Sequence, residues 1–205
     1  MSDIDFGSMP PTAYAAALDR QQFMDIGIRE LWPQAPRVAG AAFTVQLTPG
    51  DNLMFHAAIY EAPPGSVIVA DAGDNNFAVA GGNVCAVAQQ RGIAGFVIDG
   101  VIRDLDEIRQ NKFSIFARGL MPIPGIKKVV GPLNTPIHCG GVKVFPNDII
   151  VADEEGVAVI PHAQKVEVYE TSKAKLEKEN SQSLDEWQQE HQAKITSLLH
   201  QTSSE

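Results

Sequence analysis

The sequence predicts one α/β domain built on a mixed sheet, and three observations point there. SVIVA at 66–70 and GFVID at 95–99 are short apolar runs of the kind found in strands covered on both faces. A helical stretch lies between them, so strand, helix and strand alternate as in a β-α-β crossover. Past residue 113 the chain becomes strand-rich, with FSIFARG, PIHCGGVKV, DIIVA and VAVIP separated by turn residues.

Taken in order, residues 12–30 carry a helical pattern from Tyr14 and Leu18 to Phe23 and Ile26. A strand follows at 38–45. Pro49-Gly50-Asp51 makes a turn, and Asp51 or Asn52 can cap a helix running to about Tyr60. Pro63-Pro64-Gly65 punctuates before strand 66–70, and the loop DAGDNN leads to Gly81-Gly82. A helix over 83–91 stops at Gly92, the residue favoured just past a helix end. After strand 95–99 and Arg103-Asp104, a short helix over 105–111 turns Leu105 and Ile108 inward. Turns at Pro146-Asn147-Asp148 and Glu154-Glu155-Gly156 separate the last strands.

From about His162 the chain becomes polar and helical, with a weak stripe of Val166, Tyr169 and Leu176. Ser183 and Glu186 have the spacing of a capping box, which starts a second helix carrying Trp187, Ile195, Leu198 and Leu199. Those side chains need a surface, and a neighbouring subunit is favoured over the chain's own domain. The expected division is a domain over 1–162 and a helical tail over 163–205.

Composition narrows the partners. The 205 residues are 44% hydrophobic and 20% charged, with a net charge of −9. An acidic surface repels phosphate backbones, and no basic stretch offsets this, so nucleic acid is not expected. No basic region precedes an apolar run at the N-terminus and no stretch is apolar enough to span a bilayer. The expectation is therefore a cytoplasmic protein with no membrane partner. Cys85 and Cys139 lack zinc-ligand spacing; Cys85 reads as a small buried side chain, and His138-Cys139 as the start of a strand.

One segment does not look like ordinary core: GGNVCAVAQQRGIAGFVIDGVIRD, residues 81–104. In a β-α-β unit the helix runs antiparallel to both strands. Its N-terminus and the end of the second strand therefore meet at the carboxyl edge of the sheet, where open α/β sheets bind ligands. Alone, the glycine pair is ordinary turn geometry and Arg-Asp an ordinary solvated pair; their placement at one edge gives them chemistry. The first helix amides lack internal partners and carry partial positive charge. Glycine lets a carboxylate approach them. Arg103 adds a two-pronged donor, and Asp104 can hold a hard divalent cation. A 2-oxo acid, with adjacent carboxylate and carbonyl oxygens, satisfies all three. The spacing is not that of a dinucleotide-binding fingerprint.

At these residues the chain resembles the RraA-like family, which includes class II pyruvate aldolases acting on 4-hydroxy-4-methyl-2-oxoglutarate and 4-carboxy-4-hydroxy-2-oxoadipate. The resemblance runs through DIGIRELWPQAPRVAGAAFTV, PGDNL, PPGSVIVADAGD, the 81–104 segment, FARG and GGVKVFPNDIIVADEEGVAVIP. It implies an α/β/α sandwich with a mixed central sheet and a C-terminal helical tail, assembled as homotrimers or homohexamers. It implies Mg²⁺ or Mn²⁺ at Asp104, Arg103 as the catalytic residue on the keto oxygen, and Gly81, Gly82, Asn83 and Val84 binding the substrate carboxylate. It implies retro-aldol cleavage of a 4-hydroxy-2-oxo acid or diacid to pyruvate, with oxaloacetate decarboxylation alongside. A tail glutamate from the neighbouring subunit also belongs to the pattern, with Glu179 as the candidate and Glu177 next to it. Two departures stand out. Aldolase relatives often carry an acid where this chain has Gly82, and Asp-Ala-Leu where it has Ala16-Ala17-Leu18.

Rival readings exist. A Schiff-base aldolase needs a buried lysine, and Lys127, Lys128 and Lys143 have no evidently buried setting. A phosphohistidine carrier shares the architecture, but no histidine is expected near Gly81 or Arg103. A methyltransferase would need an S-adenosylmethionine site, and none is evident. The family also contains non-catalytic regulators that bind a ribonuclease; the founding regulator lacks the acid after the arginine, so Asp104 favours the enzyme.

Overall fold

The computed structural model describes residues 4–202; residues 1–3 and 203–205, included in the expected domain boundaries, lie outside the described residues. The strands are β1 (Arg29–Glu30), β2 (Val38–Gln46), β3 (Val67–Asp71), β4 (Gly95–Ile102), β5 (Ile115–Leu120), β6 (Ile137–Cys139), β7 (Val142–Val144), β8 (Ile149–Asp153) and β9 (Gly156–Ile160). The α-helices are α1 (Pro11–Tyr14), α2 (Leu53–Glu61), α3 (Gly82–Gln90), α4 (Leu105–Gln110), α5 (Lys165–Ser181) and α6 (Leu184–Thr202).

Seven strands form one mixed sheet in the order β1-β5-β4-β3-β2-β8-β9. The middle run β2 to β5 is parallel, with α2, α3 and α4 as crossovers, while β1, β8 and β9 pair antiparallel at the two ends. Val67, Ile68, Val69 and Ala70 of β3 are all fully buried, as the uninterrupted apolar run demands.

Helices cover the sheet on two outer sides. One face of β2–β5 packs against α2–α4 through residues such as Phe55, Cys85, Phe96 and Ile108. The outer face of β8–β9 packs against α1 and α5 through Tyr14, Ile149, Ile160 and Val168. Between them the sheet curls so that Val67, Val69 and Phe116 meet Ile150, Val157 and Val159 across the β6–β7 hairpin. The central layer of the sandwich is thus a curved sheet with its own interior.

Three local expectations change. Residues 12–30 do not form one helix; α1 is followed by a 3₁₀ turn at Arg20–Gln22 and extended chain into β1. Their apolar side chains serve two cores: Tyr14 and Leu18 lie under α5, while Met24 and Ile28 enter the sheet interior. Ile26 is 87% exposed. PIHCGGVKV is a hairpin rather than one strand, because Gly140 and Gly141 both take positive φ. In α5 the inward residues are Val168, Tyr169 and Leu176, with Val166 exposed. The first tail helix therefore packs on the chain's own domain. On α6 the capping box forms as expected, with the Ser183 amide donating to Glu186 Oε2 at 2.8 Å.

Candidate active site

The crossover places the two halves of the 81–104 segment together. The α3 N-terminus follows the loop after β3, and Arg103 follows β4, which lies parallel to β3. The Gly82 amide donates to Asp104 Oδ2 at 3.2 Å, and the Arg103 amide donates to the Ala80 carbonyl at 3.0 Å. Arg103 Nε lies 3.3 Å from the same Asp104 oxygen, with both side chains partly exposed. Asp104 takes a left-handed backbone, φ 59° and ψ 40°, as the chain turns from β4 into α4. A non-glycine residue there is uncommon, and it sits at the candidate metal position.

Space explains the glycine pair. A Cβ on Gly81 would press on Asp104 Oδ2 and on the Arg103 side chain. A Cβ on Gly82 would overlap the Glu107 carboxylate. Glu107 thus reaches over the start of α3 beside Asp104, two carboxylates at the positive end of a helix.

The cavity bordering this pair has a volume of about 80 Å³. Gly81, Asn83, Val84, Arg103 and Asp104 line it, and Gly82 lies buried beside them. Asn52, His56 and Lys127 also belong to the wall, with Ala78, Val79, Ala80 and Pro124. Asn52 is buried and donates to the carbonyls of Ala78 and Val79, while its Oδ1 has no partner among the described residues. Burial, reinforced by the charge of Lys127, pushes the His56 imidazolium down to about 4, so the ring is neutral near pH 7.

The expectation that no histidine lies near Gly81 or Arg103 is corrected by His56. The signal for it was in the sequence. Helix α2 is the crossover before β3, so its N-terminus reaches the same sheet edge as that of α3, and Asn52 and His56 are four residues apart. Glu107 had a comparable signal, three residues beyond Asp104 at the start of α4.

A hard cation fits these donors. The Asp104 carboxylate lines the cavity and the Glu107 carboxylate lies over Gly82 beside it, so the two could offer oxygens to a cation, and no group of three or more His, Cys, Asp or Glu suited to a metal occurs among the described residues. Such a sparse oxygen set suits Mg²⁺ or Mn²⁺, which keep several waters, better than Zn²⁺ in a closed cage. Glu179 and Glu177 are not in this wall of their own chain; they sit on α5 in exposed ion pairs with Lys175 and Lys173. Lys127 is exposed, without the apolar enclosure that a Schiff-base lysine needs. Cys85 is inert: burial, with the nearby Asp104 charge, pushes its thiol up to about 12.

A larger cavity of about 890 Å³ opens between Asp19–Asp25 and the β6–β7 hairpin. Its Arg118 is already engaged by Asp25 and Asp99. The smaller cavity is the better chemical candidate.

Comparison with known proteins gives the family. The family model described as RraA-like, Aldolase/RraA, matches residues 12–159. A protein of Halalkalibacterium halodurans provisionally named 4-hydroxy-4-methyl-2-oxoglutarate aldolase is 44% identical over 171 residues, 83% of this chain and 81% of that protein. Among solved structures, the RNA-processing inhibitor RraA from Thermus thermophilis superposes with a TM-score of 0.63 at 28% identity, covering 68% of this chain and 84% of that one. Streptomyces coelicolor RraAS2, described as an unusual member of the RNase ES inhibitor RraA family, gives a TM-score of 0.76 at 26% identity, covering 85% and 91%. The match of the family model over residues 12–159, with a relative 44% identical over 83% of the chain, places this chain in the RraA-like family.

Proposed function

We propose that the protein is a class II pyruvate aldolase, a divalent-cation-dependent lyase that cleaves a 4-hydroxy-2-oxo acid or diacid to pyruvate. The observation that carries the reading is the meeting of the Gly82 amide, the Asp104 carboxylate and Arg103 at one cavity. The names of aldolase relatives support it at the level of a lyase.

In this reading the substrate carboxylate rests on the free amides at the start of α3, around Asn83 and Val84. Arg103 donates to the 2-keto oxygen. As the C3–C4 bond breaks, its electron pair moves toward that oxygen, and the guanidinium meets the charge as it develops. The 4-hydroxyl proton passes to a water held by the Asp104 and Glu107 carboxylates, and C3 regains a proton to give pyruvate. Asp104 and Glu107 would hold Mg²⁺ or Mn²⁺, which when bound would supply Lewis acidity toward the keto acid. His56 presents a neutral ring, and Lys127 stands at the rim for a second carboxylate. A cavity of about 80 Å³ holds roughly the volume of two to three waters, enough for the pyruvyl end alone. The remainder of the substrate extends outward, where the Glu179 of a neighbouring subunit is proposed to contribute. Oxaloacetate decarboxylation uses the same elements. A homotrimer or homohexamer in the cytoplasm belongs to this proposal.

The test is pyruvate release, coupled to lactate dehydrogenase, from a panel of 4-hydroxy-2-oxo diacids and oxaloacetate with and without Mg²⁺. Activity abolished by EDTA and restored by Mg²⁺ or Mn²⁺ supports the lyase; activity persisting in EDTA with borohydride trapping of a lysine adduct refutes it. A second reading, a non-catalytic regulator that binds a ribonuclease, rests on the likeness to the Thermus and Streptomyces proteins. Capture of a ribonuclease together with no pyruvate from any substrate would favour it.

A further inference from the structure

Helix α6 presents a feature unrelated to the active site. Every residue from Leu184 to His200 is exposed, whereas α5 buries Val168 and Ser172. On α6, Leu184, Trp187, His191, Ile195 and Leu198 form one stripe, with Leu184 77%, Trp187 49%, Ile195 42% and Leu198 49% exposed. The steps along it are three, four, four and three, so its spacing is the same from either end about His191, with Leu199, 64% exposed, on one flank. The Trp187 and His191 rings stack at 4.6 Å and 11°, giving the centre a flat face.

We infer that α6 pairs antiparallel with the α6 of a second copy of this chain, about a two-fold axis at His191. In that arrangement a residue a given distance before His191 faces the residue the same distance after it. Leu184 meets the second copy's Leu198, Trp187 meets its Ile195, and His191 meets His191. A two-fold contact must be self-complementary, and a palindromic stripe has that property. A groove on an unrelated surface imposes no such symmetry.

Charge selects the direction. Asp185, Glu186 and Glu190 precede His191, whereas Lys194 follows it. Antiparallel pairing sets each acidic half beside the half that carries Lys194; parallel pairing sets acid beside acid. At 100° per residue Glu190 and Lys194 share one flank of the stripe, so across the axis each reaches the other's counterpart. The pairing stands on α6 alone and holds whether or not the protein is a lyase.

Cysteine cross-linking of the full chain tests it, because Cys85 and Cys139 are buried. Under mild oxidation His191→Cys forms a covalent two-chain species. Neither Leu184→Cys nor Leu198→Cys does so alone, but the double variant does, and Gln189→Cys on the opposite face does not. Leu184→Cys cross-linking as readily as His191→Cys means parallel pairing and overturns the proposal. So does cross-linking of Gln189→Cys to the same extent, or none in His191→Cys. As an independent measure, Ile195→Glu raises the dissociation constant of the α6-paired assembly by roughly 100-fold or more in sedimentation, whether the pairing joins two single chains or two trimers. Lys194→Glu weakens it, and adding Glu190→Lys restores it. Unchanged sedimentation of Ile195→Glu, with an unchanged melting temperature, overturns the pairing.

Discussion

The carboxylate of Glu107 occupies the space into which a side chain at Gly82 would project. An acid missing from the first turn of α3 is thereby replaced, in space, by one from α4. In the proposed site Glu107 would stand in for the acid that the family resemblance leads one to expect at position 82.

Binding of Mn²⁺ should report this directly. Glu107→Gln is expected to weaken Mn²⁺ binding by about 10- to 100-fold, as loss of a supporting ligand does. Gly82→Ala should do nearly as much by displacing the Glu107 carboxylate. Titration followed by Mn²⁺ paramagnetic resonance reads affinity without turnover, and wild-type affinity in both variants would remove Glu107 from the cation site.

Arg103→Lys should lower kcat by about 100-fold or more with little change in KM. A point charge cannot reproduce the guanidinium fork at the oxygen where charge develops. Steady-state pyruvate release measures it; a rise confined to KM would assign Arg103 to ground-state binding.

Gly81→Ala should separate the Arg103–Asp104 pair, since the added Cβ presses on both. Gly81 has extended φ, −150°, so the backbone tolerates alanine and the cost falls on the site. Activity is expected to fall at least about tenfold, by the misplacement argument, with secondary structure unchanged by circular dichroism. Full activity would show that the pair tolerates displacement.

His56 gives a pH signature. Its folded value is depressed to about 4 from an ordinary 6.5, so the unfolded chain takes up the proton first as pH falls. This residue therefore contributes no pH-dependent loss above about 6.5, and stability drops progressively between 6.5 and 4. His56→Gln should flatten that part of the melting-temperature profile relative to wild type. Parallel profiles for the two proteins would mean that the ring is solvated.

Neither cysteine should react with Ellman's reagent in the native protein, because burial raises both thiols well above their usual range. Denaturation should expose two reactive thiols. Rapid native labelling of one would signal local opening of α3 or of the β6–β7 hairpin.

Much of the fold was legible in the sequence, because apolar runs and turn residues act locally. The runs at 66–70 and 95–99, the helix stop at Gly92 and the capping box at Ser183 are all dictated by neighbours along the chain. So was the approach of Gly82 to Asp104, since β-α-β handedness and direction allow only one edge for both. Residues 12–30 were misread because their apolar side chains enter two different cores, and periodicity records that a residue is apolar without recording which core takes it. His56 and Glu107 came to the site through the lateral order of β2, β3 and β4 and through the φ of 59° that turns the chain at Asp104. Their spacing in the sequence put each near the right end of its own helix, but strand order and a single left-handed residue are settled by packing across the whole sheet, so only the tertiary structure decided that those ends meet at the start of α3.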